Sequence, residues 1–164
     1  EDGLPVAFVG STAYRFASGQ WSKVNVSRDK EVELPPLRGV SGKVLAKTRL
    51  GKGFAVGTDE GLYLYDPAAK SWVSLYPQDE KYKWAPYAVS ALTVDSEGRL
   101  WFGSAQGVGC YDGSEWKLYS GQEGLPYNQF TTAAAGKNGV VWFGTRKGAI
   151  RFEDGRFHYR FSLR

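Results

Sequence analysis

Apolar residues along this chain come in short runs, and glycine, aspartate or asparagine separates one run from the next. No segment carries apolar residues at the 3.6-residue spacing of a long amphipathic helix, so the pattern predicts strands. One block recurs, an aromatic or apolar pair followed by glycine and a hydroxyl residue. It stands at Phe8-Val9-Gly10-Ser11, Ala55-Val56-Gly57-Thr58, Trp101-Phe102-Gly103-Ser104 and Trp142-Phe143-Gly144-Thr145. The glycines are 47, 46 and 41 residues apart. After each block a second short run ends in an aromatic at Phe16, Tyr65, Tyr111 or Phe152. A turn follows (Ser18-Gly19, Asp66-Pro67, Asp112-Gly113, Asp154-Gly155), and another aromatic (Trp21, Trp72, Trp116, Phe157) opens a further run. Asp-Gly between two apolar runs is a strong hairpin signal. In three units one more strand precedes the block, near Lys43–Thr48, Ser90–Val94 and Thr131–Ala135.

Each unit therefore reads as strand, turn, strand, turn, strand, turn, strand, with strands A to D. A period of about 40–50 residues belongs to propeller blades and to some helical arrays. Turns rich in Gly, Asp and Asn, which take positive φ cheaply, decide for blades. Strand B is almost continuously apolar and wants cover on both faces, which a radial stack supplies. The glycine after its aromatic pair would let neighbouring blades approach closely. Strand D alternates and suits an outer edge. The predicted fold is all-β: a β-propeller segment of about four blades of four antiparallel strands, the first lacking its inner strand. The blades fall at about 1–40, 41–87, 88–128 and 129–164, as one partial domain. A larger ring of which this is a segment, a second chain, or a four-bladed ring closing on itself would each complete the circle.

Composition agrees. Of 164 residues 42% are hydrophobic and 15% aromatic, with 21 glycines, which suits short strands and tight turns. The net charge of +4 is mild and its basic residues are scattered, so nucleic acid is not an expected partner. Cys110 is the only cysteine and sits in an apolar strand pattern, which predicts a buried, inert thiol. No apolar run approaches the roughly 20 residues of a membrane-spanning helix, and no signal peptide is visible.

The segment Glu123-Gly124-Leu125-Pro126-Tyr127-Asn128-Gln129-Phe130, with Gly139 to Thr145 and Gly148, resembles the two-component-regulator propeller repeat, and so does Val89 to Ser104. The second unit departs from the family at Ala55, where the family has Trp, and the first at Phe8. The resemblance implies a multi-bladed, commonly seven-bladed, propeller. It implies a periplasmic or extracellular place, and a sensing role in which carbohydrate fragments are bound.

In a propeller the D-to-A and B-to-C connections share the channel face, where loops of every blade converge. Sugars are held by flat aromatic faces and planar hydrogen-bonding groups. The candidate ligand residues are therefore Trp84, Tyr87, Gln106, Tyr127, Asn128, Gln129 and Arg146. Trp84 serves equally well as part of a surface lid. Trp72, Trp101, Trp116 and Trp142 read as core, and Asp95 as a turn aspartate. No catalytic constellation emerges: His158 lies alone on an outer strand, and Asp59-Glu60 are merely adjacent. No cofactor and no metal are expected. The leading function is a non-enzymatic ligand-binding or sensing propeller, with an oligosaccharide or other small ligand and the remaining blades or a second chain as partners. The alternatives are a protein-interaction scaffold and a polysaccharide lyase or hydrolase built around Tyr127 and Arg146.

Overall fold

A computed structural model describes residues 6–9, 12–17, 20–24, 33–120 and 129–161. The chain forms two compact units, Glu1–Glu33 and Leu34–Arg164. In the first, β1 (Val6–Val9), β2 (Thr12–Ala17) and β3 (Gln20–Val24) make a three-stranded antiparallel sheet. This is the blade expected to lack its inner strand.

The second unit holds three antiparallel sheets of four strands each. They are β4 (Val44–Leu50), β5 (Gly53–Thr58), β6 (Leu62–Asp66) and β7 (Ser71–Ser74); then β8 (Ala91–Val94), β9 (Leu100–Ser104), β10 (Gly107–Tyr111) and β11 (Trp116–Tyr119); then β12 (Phe130–Ala135), β13 (Val141–Thr145), β14 (Gly148–Glu153) and β15 (Arg156–Phe161). Each sheet is a meander in chain order. Successive sheets do not join edge to edge. Their first strands approach across the seams, β4 beside β8 and β8 beside β12, as blades do near an axis. All described elements are strands, so the all-β propeller architecture read from the sequence is the one observed.

Two seams within this unit are locked by a residue at the start of the later sheet, Val89 or Phe130. Val89 and Leu92 are three residues apart, as are Phe130 and Ala133, so strict alternation would point each pair to opposite faces. The register of β12 against β13 shifts between Phe130 and Thr132, and that of β4 against β5 between Val44 and Ala46. In β12 such a bulge turns Phe130 back onto the face toward the sheet β8–β11. Phe130 then rests on the backbone of Gly103, where an added Cβ would fall 2.7 Å from the Phe130 Cβ. Val89 does the same at Gly57, with its Cβ 2.8 Å from that position. The glycine of the repeat is thus a seat for the next blade. Direct bonds back it up: Ser90 Oγ donates to the Phe130 carbonyl at 2.7 Å, and the Ala135 N–H donates to Thr93 Oγ1 at 3.1 Å.

Burial follows the seams. Every residue of β9 is buried, as its apolar run demands. Trp101 (2% exposed), Cys110, Phe143, Ile150 and Phe152 fill the seam between the second and third of these sheets. Ala55, Leu62, Val89, Phe102 and Trp116 fill the one before it. Trp72 and Trp116 are core as expected, but Trp142 is only half-buried. It occupies the Trp101 position of its sheet, on the face that no following sheet covers among the described residues.

Candidate functional site

In the three four-stranded sheets the connection from the second to the third strand is fixed by the hydroxyl that follows the repeat's glycine. Thr58 Oγ1 accepts from the Gly61 N–H at 2.9 Å. Ser104 Oγ donates to the Gly107 carbonyl at 3.1 Å and accepts from the Gln106 N–H at 3.3 Å. Thr145 Oγ1 donates to the Gly148 carbonyl at 3.0 Å and accepts from the Lys147 N–H at 3.2 Å. The sequence displayed this Ser/Thr in every unit, but its service as a cap for the channel-face loops shows only in three dimensions.

On this frame the backbone at Tyr87 is bonded to the loop that carries Gln106. The Ala105 N–H donates to the Tyr87 carbonyl at 3.3 Å, joining the segment that enters β8 to the loop after β9. The Ala88 N–H donates to the Asp59 carbonyl and the Val89 N–H to that of Thr58, tying the same segment to the loop after β5. Tyr87 leaves 49% of its surface to solvent, a large apolar face on a polar surface. Gln106 is half-buried, and its Oε1 is buried with no hydrogen-bond donor among the described residues. A buried amide oxygen left without a donor costs about 1–3 kcal/mol, so the site wants one. Gln129 and Arg146 are exposed, Gln129 at the start of β12 and Arg146 between β13 and β14. Ser90 links Gln129's neighbour Phe130 to the entry of β8. Tyr127 and Asn128 lie outside the described residues.

Trp84 goes elsewhere. Its ring packs 5.6 Å from that of Trp116, edge on, and 6.3 Å from Phe102. It belongs to the seam that contains Ala55. There the repeat offers alanine where the next sheet has Trp101, and the indole from the connecting segment packs against the same cluster. Trp84 is half-buried in this packing. Asp59 is structural: its Oδ1 accepts from the Lys43 N–H at 2.6 Å.

At the opposite ends of the strands the turns enclose a cleft of about 370 Å³, lined in part by Glu97, Arg99, Trp101 and Phe152. Asp95, behind its wall, is the turn aspartate foreseen and more. It accepts from the Glu97 and Arg99 N–H groups at 2.9 and 3.0 Å, from Arg99 Nε at 2.7 Å and from Trp101 Nε1 at 2.8 Å. Burial alone would raise its pKa. The donated bonds from Trp101 and Arg99, with the Arg99 charge, outweigh burial and hold the carboxyl below its ordinary value. Cys110 is buried, and burial pushes its thiol up to about 12, which makes it unreactive. His158 is exposed on the outer strand β15. Among the described residues no group of three or more His, Cys, Asp or Glu is placed to hold a metal, and no helix is long and apolar enough to cross a membrane.

Sheets stacked in this way, with loops converging at one end, define the propeller class. Residues 84–106 match the family model described as two component regulator propeller, which places the resemblance on the β8–β9 hairpin and its entry segment. The fold is similar to the extracellular domain named as that of the hybrid two component system BT3049 from B. thetaiotaomicron. The TM-score is 0.59 at 23% identity, over 93% of this chain and 22% of that one. It is similar too to extracellular domains from the same organism named for BT4673, once as a hybrid two component and once as a one component system. These have TM-scores of 0.59 at 16% and 15% identity, over 93% and 100% of this chain and 19% and 23% of those. The chain thus spans about a fifth of the length of the structures it matches. Among curated proteins none matches this sequence.

Proposed function

We propose that this chain is part of a non-enzymatic sensing or binding propeller working outside the cytoplasm, and that it recognises a small ligand, in the first instance an oligosaccharide, at the loop end of β9 and β13. The observation that carries the reading is the pair formed by Tyr87 and Gln106. Tyr87 leaves an exposed aromatic surface, and on the loop bonded to its backbone through Ala105 the Gln106 Oε1 is buried with no hydrogen-bond donor among the described residues. A sugar ring offers what both need, an apolar face to stack and hydroxyls to donate. Exposed Arg146 and Gln129 supply further planar polar groups at the same end of the strands. The family model and the extracellular domains of similar fold support a sensing role and an extracytoplasmic place. The remaining blades of a larger ring, seven in all by the resemblance, complete the channel.

The test is titration of the complete polypeptide with a panel of neutral and acidic oligosaccharides by calorimetry. Tyr87→Ala and Gln106→Leu are each expected to weaken binding about tenfold or more, the loss of 1.4 kcal/mol or above, with melting unchanged. Full affinity in both variants, or no binding by the unsubstituted protein across the panel, would remove the reading.

A further inference from the structure

We infer that Ala88 is the positioning residue of the Tyr87 site: its backbone is held in a strained left-handed conformation, so that Tyr87 stays open to solvent while Val89 enters the seam. This rests on the reading of Tyr87 as a ligand platform.

Four described residues other than glycine have positive φ: Lys70, Ala88, Asn138 and Asp154. Three of them lie in hairpin turns, between β6 and β7, β12 and β13, and β14 and β15. Ala88, at φ 48°, lies in no hairpin; it stands in the segment that enters β8. Alanine is a poor choice there. Its Cβ crowds the following carbonyl oxygen, and it lacks the polar side chain by which Asn and Asp bond locally and tolerate this region. Such strain persists only where the surroundings over-determine it, and it gathers at functional sites.

The surroundings of Ala88 do so. Its N–H donates to the Asp59 carbonyl at 3.0 Å, and the Val89 N–H donates to the Thr58 carbonyl at 2.9 Å. The Tyr87 carbonyl accepts from the Ala105 N–H at 3.3 Å. Three successive residues are thus tied to two loops, and Asp59 is itself held by the Lys43 N–H. On either side of Ala88 the side chains part. Val89 is fully buried against Gly57, and Tyr87 is exposed.

The other seam shows that stacking does not demand this conformation. Phe130 meets Gly103 as Val89 meets Gly57, yet Gln129, at the place of Ala88, is not among the residues with positive φ. A seam is therefore made without a left-handed residue, and the strain at Ala88 serves the residue before it. An aromatic platform whose backbone is fixed in advance loses less freedom when a ligand arrives.

Two substitutions of similar bulk separate backbone conformation from size. Asn tolerates the left-handed region, and β-branched Val does not. Both variants of the complete polypeptide are read by calorimetry, with the oligosaccharide that the unsubstituted protein binds most tightly, and by amide hydrogen exchange. Ala88→Asn is expected to keep affinity within about twofold, and Ala88→Val to lose as much as Tyr87→Ala, about tenfold or more. Ala88→Val should also speed exchange of the Ala105 amide at least about tenfold, as its bond to the Tyr87 carbonyl opens. The Ala135 amide, which donates to Thr93 across the other seam, should exchange at one rate in both variants if the change is confined to the Tyr87 segment. Equal affinities for the Asn and Val variants, where Tyr87→Ala has lost binding, would overturn the positioning role and leave the site standing. Full affinity in Tyr87→Ala would remove the site, and this inference with it. Ala88→Gly tests the strain without a ligand. Relief of the crowding offsets the added freedom of the unfolded chain, so its melting temperature should be equal or higher, and a lower one would contradict the strain.

Discussion

Gly103→Ala turns the seam into a question of sign. Gly103 is not among the glycines with positive φ, so alanine meets no backbone strain there. In an isolated sheet the change would stabilise by about 0.4–1 kcal/mol, because alanine has less freedom to lose on folding. In the stacked arrangement the new Cβ falls 2.7 Å from the Phe130 Cβ. Real side chains do not approach so closely, and Phe130 is 5% exposed with Phe143 packed against it at 5.6 Å, so it has little room to retreat. Overpacking of this kind costs about 1–3 kcal/mol. The two effects have opposite signs and the second is larger, so Gly103→Ala should destabilise by about 1–2 kcal/mol. Phe130→Ala should cost about 3–5 kcal/mol, as deletion of a buried aromatic does. Together they should cost less than their sum by at least about 0.5 kcal/mol, since the truncated residue no longer collides with the methyl group. Urea denaturation of the four proteins gives the cycle. A stabilising Gly103→Ala, or a strictly additive pair, would refute the idea that one blade's glycine seats the next blade's first strand.

Asp95→Asn keeps a hydrogen-bonding oxygen but loses the charge that holds Arg99 and Trp101. It should cost about 1–3 kcal/mol at neutral pH, toward the low end because the Arg99 side chain is 31% exposed. The folded carboxyl titrates below its ordinary value, so its contribution is complete above the unfolded pKa of about 3.9 and fades as pH falls through the lower folded value. The stability gap between the two proteins should therefore shrink on acidification, and a gap that widens would contradict the sign. Trp84→Ala should cost about 2–4 kcal/mol by opening the seam around Ala55, yet leave ligand affinity within about twofold; a stable variant that loses binding would restore Trp84 as a ligand platform.

Much of the fold was legible because a repeat shows the same physics several times. The Gly-hydroxyl block, the Asp-Gly turns and the aromatic that opens each fourth strand marked an all-β repeat, and all described elements are strands. The three-residue step from Val89 to Leu92 and from Phe130 to Ala133 was equally visible. It was not read, because such a step violates the alternation by which strands are recognised. The tryptophans divided for a reason that no single sequence position holds. Trp101 and Trp142 look identical in the chain, and only the presence or absence of a following sheet makes one core and the other half-exposed. Trp84 was ambiguous because its partner is a deficit: the missing ring at Ala55 lies 29 residues earlier in the chain. Of the candidate site, the segments of Tyr87 and Gln106 are joined because the entry segment of β8 bonds to the loop after β9. That bond is made by backbone and leaves no mark in residue identity.

Nuclear Overhauser contacts in the folded protein probe the stacking of the sheets most directly. The ring protons of Phe130 should show cross-peaks to the Gly103 α-protons, and the Val89 methyl groups to those of Gly57. Silence at both pairs in a well-resolved, assigned spectrum would mean that consecutive sheets do not lie face to face, and the account given for this molecule would fail.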